Sequence, residues 1–501
     1  MSDNLQIKRI AIVGGGSAGW MAASLLARAL GGTGTIITVI ESPEIGTVGV
    51  GEASIPPIMD MLRLLHIDES DFVRHTKSTY KLGIKFTDWS GRGDSYWHPF
   101  GTFGSMINLR PVYHAWHKAR ADGLTLRFND LSLCAALGDA RKFRFPDPKA
   151  QGPEAGLRYA LHFDAGLVAK YLRAYAERLG VTRLERTVAD ATLRADGFID
   201  ELVFADGTRL QAELYIDCSG FRAVLIEKVL GTGYLDWSDV LPCDRAVAMP
   251  TDVASPRPPY TEATACRAGW RWRIPLQHRT GNGYVYCSAH SSDDEALDDL
   301  ARSVGEKPLA DARLLRFLAG RRKLFWNRNC VALGLASGFL EPLESTSIHL
   351  VMSGVYKLLE HFPNRAFARA NIDSYNNELI REIESIRDFI VLHYCLSPRM
   401  DSPFWQRCRS MPLPESLTSR IELYRHTGRI RIKPGELFTD LSWFYIFEGL
   451  GVRPQSYDPL MDVLTPAQLR EIFASFAQAN QAPVRTAPSH DSHFDSAARA
   501  S

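Results

Sequence analysis

Three glycines near the amino terminus have the spacing of a phosphate-binding turn. The motif G-x-G-x-x-G begins at Gly14 and ends at Gly19, and Glu41 follows downstream. Glycine permits a tight turn and a close approach of the backbone to a pyrophosphate, whose negative charge the N–H groups of a following helix attract. A carboxylate at Glu41 would bind a ribose diol. The residues expected to contact a dinucleotide here are Gly14, Gly16, Ser17, Ala18, Gly19 and Glu41.

The segments around these glycines have the order strand, helix, strand. Residues 9–13 (RIAIV) are rich in β-forming residues, MAASLLARAL is rich in Ala and Leu, and TIITVIES is a second apolar run. The glycines would therefore lie at the strand-to-helix turn of a β-α-β unit, which makes the motif specific. The alternative is an ordinary glycine-lined turn that binds nothing.

A second candidate cofactor segment lies at residues 211–226 (QAELYIDCSGFRAVLI), where an apolar strand ends at Asp217 and Gly220 follows. An acid at this place suits the ribityl and pyrophosphate region of FAD, whereas a buried strand capped by a polar turn is the alternative. The glycine-dense stretch 45–56 (IGTVGVGEASIP) predicts a loop that lies against a ligand. Its candidate cofactor contacts are Val50, Gly51, Glu52 and Ala53.

Composition limits the class of protein. The chain has 501 residues, enough for two or three packed lobes, and 58 Lys and Arg balance 57 Asp and Glu. The basic residues are scattered, which argues against nucleic acid as a partner. We find no signal-peptide pattern and no apolar run of the ~18 residues that span a membrane, so we expect a cytoplasmic protein. The 8 cysteines are widely spaced without C-x-x-C, so neither a disulfide framework nor a metal site is indicated.

Residues 269–275 (GWRWRIP) place Trp270 and Trp272 two positions apart in a strand pattern. For an isolated W-x-W, packing in a sheet is the simplest interpretation.

Further on, residues 350–395 have helical spacing of apolar side chains. The Pro-, Ser- and Ala-rich stretch from about 481 predicts a flexible tail in which His490 and His493 are solvated.

Taken together, these stretches resemble the flavin-dependent tryptophan halogenase family. The resemblance covers nearly the whole chain. W-x-W-x-I-P together with FLEPLEST is its most specific part. The motifs that carry it are GGGSAGWMAAS, GVGEASIP, YKLGIKF, LHFDAGLVA, DCSGFR, GWRWRIP, FLEPLEST, RDFIVLHY and SPRMDSPFW. The resemblance implies an α/β fold with a Rossmann-like FAD-binding lobe of the single-component flavin monooxygenase type, a substrate-side sheet and a mostly helical C-terminal region.

The chemistry that the resemblance implies uses FADH2 from a separate reductase, oxygen, and chloride or bromide. These produce a hypohalous acid that reaches a small aromatic substrate inside the protein. The single dinucleotide fingerprint agrees with a separate reductase, since no second, NAD(P)-binding unit is indicated. The family places Trp270, Trp272, Ile274 and Pro275 beside the passage to the substrate, where they prevent direct hydroxylation by the flavin.

The catalytic residues implied by the resemblance are Lys81 of YKLGIKF and Glu344 of EPLEST. An ammonium could polarise or carry the halogen, and a carboxylate could keep that ammonium protonated and accept the ring proton. Lys85 and Glu341 are the neighbouring alternatives, and the motif spacing favours Lys81 and Glu344 over them.

Thr346 and Ser347 match the positions whose backbone N–H groups hold halide. The tryptophan halogenases have glycine in place of Ser347, so a positive φ there would be less comfortable and halide preference could shift toward bromide.

Four residues match positions of the substrate pocket. His98 and Phe100 match residues that flank an indole ring. Trp443 and Phe444 stand where the family has paired tyrosines that hold the amino-acid portion of tryptophan. Without those hydroxyls free tryptophan should bind poorly, so we expect indole or another electron-rich aromatic substrate.

Along the chain we expect a FAD-binding and halogenation core over residues 1–350, a helical substrate region over 351–480, and the flexible tail over 481–501. The alternative functions are a flavin-dependent aromatic hydroxylase and a non-catalytic FAD-binding protein. A homodimer is possible.

Overall fold

The computed structural model describes residues 5–43, 51–103 and 106–495. Helices and strands alternate along most of the chain. The helices are α1 Ser17–Ala29, α2 Pro57–Leu64, α3 Glu69–Thr76, α4 Val112–Ala121, α5 Leu133–Asp139, α6 Ala165–Arg178, α7 Asp293–Ser303, α8 Ser347–Glu360, α9 Arg369–Leu396, α10 Pro403–Ser410, α11 Glu415–Thr427, α12 Asp440–Gly449, α13 Pro466–Ala479, α14 Gln481–Thr486 and α15 Ser492–Asp495.

The strands are β1 Arg9–Val13, β2 Ile36–Glu41, β3 Gly51–Ala53, β4 Thr79–Lys81, β5 Gly83–Thr87, β6 Ser95–Pro99, β7 Ala160–Asp164, β8 Thr182–Glu185, β9 Val188–Leu193, β10 Ile199–Phe204, β11 Arg209–Gln211, β12 Leu214–Asp217, β13 Tyr234–Asp236, β14 Arg245–Thr251, β15 Thr261–Ala265, β16 Gly269–Pro275, β17 Thr280–Tyr286, β18 Arg313–Arg316, β19 Gly320–Arg322, β20 Trp326–Asn327, β21 Cys330–Ala332 and β22 Gly338–Phe339.

These elements belong to two compact units, each built from three separate segments. The first unit contains residues 1–78, 163–238 and 317–383, and the second contains residues 79–162, 239–316 and 384–501. This grouping differs from the expected consecutive regions 1–350 and 351–480, because segments far apart in sequence pair within the same sheet. The expectation of an α/β fold with a second sheet is confirmed.

The first unit is organised around a largely parallel sheet in the order β20-β21-β12-β1-β2-β8. Strand β1 pairs in parallel with β2 on one side and β12 on the other, so their carboxyl ends meet at one edge. Strands β1 and β12 are almost entirely buried, which explains their continuous apolar sequence. The predicted β-α-β unit is therefore β1-α1-β2, and Glu41 and Asp217 both end strands at the same edge.

The second unit is organised around a sheet in the order β18-β14-β17-β16-β15-β5-β6. Neighbouring strands are antiparallel except β15 and β5. Helix α7 packs on this sheet through a core of apolar and aromatic side chains. The GWRWRIP stretch is β16, as its sequence predicts, and it lies between β15 and β17.

Within the described residues that follow position 351, the regular elements are all helical, in agreement with the sequence. The last part differs from the prediction. Residues 481–495 form two short helices instead of a flexible tail, and the His490 side chain is fully buried. Composition suggested solvation here, but contacts with residues distant in sequence hold this segment.

All eight cysteines are free, and most of them are buried. Among the residues that the structure covers, no helix has the length and apolarity needed to cross a membrane.

Candidate functional site

The glycine turn after β1 has the geometry of a phosphate cradle. Gly14 has φ +120°, and a Cβ there would collide with the carbonyl oxygen of Cys218. A Cβ on Gly19 would collide with the carbonyl oxygen of Gly14, whereas a Cβ on Gly16 would meet open space. Gly14 and Gly19 therefore allow the turn to close, and Gly16 keeps room beside the helix for a ligand.

Helix α1 has its amino end at this turn. Gly16 is the N-cap, no side chain caps the helix, and its first turn contains no acidic residue. Ser17 uses its hydroxyl elsewhere, donating to the carbonyl oxygen of Ala165 at 3.0 Å. The helix dipole and the N–H groups that no side chain caps thus favour an anion at this end.

Glu41 lies directly over the turn. Its carboxylate accepts a hydrogen bond from Trp20 Nε1 at 3.3 Å and forms an ion pair with Arg183. A Cβ on Gly15 would collide with it, so the close approach requires glycine. These contacts orient the carboxylate at the carboxyl end of β2, where a ribose diol would lie in a β-α-β unit.

Asp217 has a different local role from the one expected. Its carboxylate is fully buried and accepts four hydrogen bonds, from the N–H and hydroxyl of Ser219 and from the N–H groups of Leu225 and Ile226, at 2.6–3.0 Å. Two oxygens with four donors have no acceptor capacity left for a cofactor. Asp217 instead fixes the turn and the π-helical segment Val224–Val229, while Gly220 beside it has φ +69° and open space.

Of the four cofactor contacts predicted for the glycine-dense stretch, the structure describes three. Val50 lies outside the described residues, whereas Gly51, Glu52 and Ala53 form β3. Burial raises the pKa of the Glu52 carboxyl to about 7. A carboxyl that is partly protonated at neutral pH is therefore present in this segment.

The predicted halide residues begin α8. Thr346 is the N-cap and is buried, no side chain caps the helix, and its first turn has no acidic residue. Among the described residues, the left-handed conformation in this stretch belongs to Ser345, with φ +58°, and Ser347 is helical. The expected discomfort of a side chain at Ser347 is therefore absent, and the helix terminus favours an anion.

The two glutamates of EPLEST are both buried, Glu341 as the N-cap of the short 3₁₀ helix Pro342–Glu344 and Glu344 as its last residue. They belong to the first unit. Burial does not separate them, so the preference for Glu344 stays a prediction.

Lys81, in the second unit, is fully buried at the end of β4. Its Nζ lies 5.2 Å from the centroid of the Phe100 ring, close enough for a cation–π interaction. A fully buried lysine is rare, and a chemical role is a common reason for one. Phe100 thus contacts the lysine itself.

Lys85 can be told apart from Lys81 by its surroundings. Its ammonium pairs with Asp139 at 2.7 Å and lies 5.8 Å from the ring centroids of Trp97 and Tyr260. Lys85 is therefore a partly exposed structural lysine.

Trp270 and Trp272 project from the same face of β16 and are both buried, with ring centroids 6.2 Å apart. Gly283 of β17 lies opposite Trp272, and a Cβ there would collide with the indole. The glycine lets the Trp272 ring lie across the sheet. Ile274 and Pro275 complete the strand and are buried as well.

His98 lies in an aromatic cluster that the sequence only partly predicts. Its ring is 5.5 Å from Phe389 and 5.9 Å from Phe438, and those two rings stack at 3.8 Å. Trp443 contacts Phe389 edge to face at 4.9 Å. Phe389 and Phe438 were missed, although Phe389 is part of the RDFIVLHY motif and could have been found there.

Trp443 and Phe444 are both fully buried but face different surroundings. Arg420 lies over the Trp443 ring at 4.0 Å. Phe444 stacks on Tyr113 at 5.1 Å and contacts Phe128 at 4.5 Å. Trp443 contacts Phe389 of the cluster around His98 directly, whereas Phe444 reaches this cluster through Phe128 and Tyr445, because consecutive helical residues point in different directions.

Comparison with known proteins identifies the family. A family model described as tryptophan halogenase matches residues 9–466. The chain belongs to the tryptophan halogenase family. It is 34% identical to tryptophan 7-halogenase KtzQ of Kutzneria sp. (strain 744), with 99% of each chain covered. It is also 34% identical to tryptophan 7-halogenase RebH of Lentzea aerocolonigenes, with 97% of each chain covered.

Solved structures agree with this assignment. The flavin-dependent halogenase BrvH from Brevundimonas sp. BAL3 has a TM-score of 0.94 and 41% identity, covering 98% of this chain and 99% of that chain. A flavin-dependent halogenase from Xanthomonas campestris has a TM-score of 0.93 and 42% identity, with 98% of each chain covered. This member of the tryptophan halogenase family is accordingly an FADH2- and halide-dependent halogenase.

The residues of the first unit fit a bound FAD. The space beside Gly16, the uncapped end of α1 and the oriented Glu41 carboxylate are the features that a pyrophosphate and a ribose require. Asp217 fixes the backbone of this region by accepting hydrogen bonds from the N–H groups of Leu225 and Ile226.

Proposed function

We propose that this halogenase acts on indole or a similar electron-rich aromatic ring that lacks the amino-acid portion of tryptophan. The observation that carries the proposal is the burial of Trp443 and Phe444 in aromatic packing. Neither residue supplies the phenol hydroxyl found in the family's tryptophan-binding members. An ammonium and a carboxylate of free tryptophan would lose their hydration there without matched partners.

The residues of the first unit hold the cofactor and the halide in this proposal. Gly16 and the amino end of α1 bind the pyrophosphate, and Glu41 binds the ribose diol. The uncapped amino end of α8 holds chloride or bromide through the N–H groups that follow Thr346. FAD would be supplied in its reduced form. When bound, it would react with oxygen and so supply the oxidation of the halide.

Lys81 delivers the halogen to the ring. Its buried ammonium donates hydrogen bonds to the hypohalous acid and polarises the oxygen–halogen bond. Burial and the charge of Lys81 hold the pKa of His162 well below its ordinary value, so this neighbour stays neutral and adds no second charge. Glu344 accepts the proton that leaves the ring after halogen addition. Trp270 and Trp272 restrict the substrate's access, as in the family.

The substrate proposal is tested by supplying FAD, a flavin reductase, NADH and oxygen with indole or free tryptophan, each with chloride or bromide. We expect halogenated indole to exceed halogenated tryptophan by about tenfold or more in kcat/KM, the discrimination expected for unmatched charged groups. Mass spectrometry separates the products. Preferred halogenation of tryptophan would contradict the pocket interpretation, and a product heavier by one oxygen would favour the aromatic hydroxylase.

The assignment of Lys81 is tested against Lys85. Lys81→Ala should abolish ring halogenation while hypohalous acid still escapes to a scavenger in solution. Lys85→Ala is the matched control and should keep halogenation, because Lys85 is partly exposed and pairs with Asp139. Normal ring halogenation by Lys81→Ala would overturn the assignment.

A homodimer and a cytoplasmic location stay predictions from the sequence.

A further inference from the structure

Strand β4 is too short to hold Lys81 by backbone pairing alone. It has three residues, Thr79, Tyr80 and Lys81, which pair with His162, Leu161 and Ala160 of β7. A lysine side chain has four rotatable bonds, and ordering it costs about 1.5–2 kcal/mol of conformational entropy. A fixed position for the ammonium therefore requires that both faces of this strand be anchored.

One face is anchored by a hydrogen-bond chain. The Thr79 hydroxyl donates to the carbonyl oxygen of Pro275 at 2.5 Å, so its oxygen must accept from His162 Nδ1, at 3.1 Å. His162 Nε2 then accepts from the hydroxyl of Thr261 at 2.9 Å. This chain ties β4 to the end of the GWRWRIP strand through a neutral histidine with a defined tautomer.

The opposite face is anchored by aromatic side chains around Tyr80. Residues alternate between the faces of a strand, so Tyr80 points away from Thr79 and Lys81. Phe143 stacks on Tyr80 at 4.3 Å, and Phe494 stacks on it at 5.6 Å. His493 contacts the same ring edge to face at 5.8 Å.

The C-terminal residues that reach Tyr80 are themselves firmly held. Asp491 forms an ion pair with Arg257 at 2.5 Å. His490 Nδ1 donates to the carbonyl oxygen of Arg257 at 3.0 Å, and burial lowers the pKa of His490 to about 4, so this histidine is neutral. His493 Nε2 lies 3.1 Å from the carbonyl oxygen of Phe143, and Phe143 N donates to the carbonyl oxygen of Pro488.

We propose that residues 488–494 form a positioning segment for Lys81. By clamping Tyr80 with Phe494 and His493, this segment fixes the register and tilt of β4 and hence the place of the Lys81 ammonium over Phe100. The inference rests on the proposed role of Lys81. It gives His490 and His493 a function that the sequence did not suggest.

The test compares Phe494→Ala, its conservative partner Phe494→Tyr, and two truncated chains. One truncated chain ends at Ala487 and lacks the positioning segment, and the other ends at Asp495 and keeps every contact described above. Two quantities are measured for each protein with indole present: halogenated indole, and hypohalous acid trapped by a scavenger. We expect the share of oxidised halide that reaches indole to fall about tenfold in Phe494→Ala and in the shorter chain, as a displacement near 1 Å can cause.

Total oxidation of halide should stay near the wild-type level in the same variants, because the predicted flavin and halide residues belong to the first unit. Phe494→Tyr and the chain ending at Asp495 should restore transfer to indole. A parallel loss of both quantities, or no change in the share, would overturn the positioning role. Lys81→Ala separates the two proposals. If Lys81→Ala transfers halogen to indole normally, the proposed role of Lys81 is wrong. If Lys81→Ala loses this transfer and Phe494→Ala keeps it, only the proposal for the positioning segment is wrong.

Discussion

The Glu52 carboxyl links protonation to stability. Burial raises its pKa from an ordinary value of 4.5 to about 7, so the folded protein retains this proton at pH values where the unfolded chain has lost it. The free energy of unfolding should therefore decrease as pH rises from about 4.5 to about 7 and show no further contribution above that range. Glu52→Gln removes this slope.

The expected size follows from about 1.4 kcal/mol per pKa unit, which gives at most about 3 kcal/mol between pH 4.5 and pH 8. Urea unfolding of wild type and Glu52→Gln at both pH values measures it, since subtraction cancels the other titrating groups. The variant should gain stability relative to wild type at the higher pH. An identical pH dependence in the two proteins would show that folding does not raise the pKa of Glu52.

Asp217 shows why a residue type and its place in a strand do not define a role. The sequence correctly places an acid at the end of a buried strand beside a glycine. It does not show that the backbone turns back, so that N–H groups of Leu225 and Ile226 reach the carboxylate. The π-helical conformation that supplies them has no recognisable pattern in the sequence, so these structural hydrogen bonds could not be predicted.

Substitutions in the turn from β1 to α1 can test cofactor binding separately from folding. Gly16→Ala adds a methyl group to open space at an extended backbone conformation, so the fold should be unaffected. That methyl group would occupy room needed by the pyrophosphate, and we expect the Kd for FAD to rise about tenfold, equivalent to about 1.4 kcal/mol. Thermal unfolding without FAD and fluorescence titration with FAD measure the two effects.

Gly14→Ala is the matched comparison. It places a Cβ against the carbonyl of Cys218 at φ +120°, so it should lower the melting temperature even without cofactor. If the Gly16→Ala protein is stable and its affinity for FAD is unchanged, the pyrophosphate does not bind beside Gly16.

Elements with a strong periodic pattern were predicted well, and elements held by distant contacts were not. The strands β1, β2, β12 and β16 follow from continuous apolar or aromatic runs, and the turn glycines follow from their spacing. Residues 481–495 have no such pattern, because their order comes from contacts with Arg257, Phe143 and Tyr80. Pairing of Phe389 with Phe438 is likewise a contact between separate helical and loop segments, which no local rule specifies.

Segments of the two units alternate along the chain. A division of the sequence into consecutive regions therefore does not match the two units. Each unit takes three segments of the sequence, and the main sheet of each unit combines strands from more than one of these segments. Within the described residues, β1-α1-β2 is the β-α-β unit with a glycine fingerprint, and the sheet of the second unit is mostly antiparallel. In the proposed function FAD itself uses the glycine fingerprint of β1-α1-β2, and the electrons are expected to come from a separate reductase.

The source of electrons can therefore be tested on the whole protein. Chemically or photochemically reduced FAD, supplied with oxygen, halide and indole, should give the same halogenated product as a flavin reductase with NADH. The protein with oxidised FAD and NADH but no reductase should give product at less than about a hundredth of that rate, because we expect a separate reductase to reduce the FAD. Product formation is followed by mass spectrometry and NADH by absorbance. Turnover with NADH alone would contradict the separate reductase, whereas product that depends on one particular reductase would indicate a protein complex instead of transfer of free FADH2.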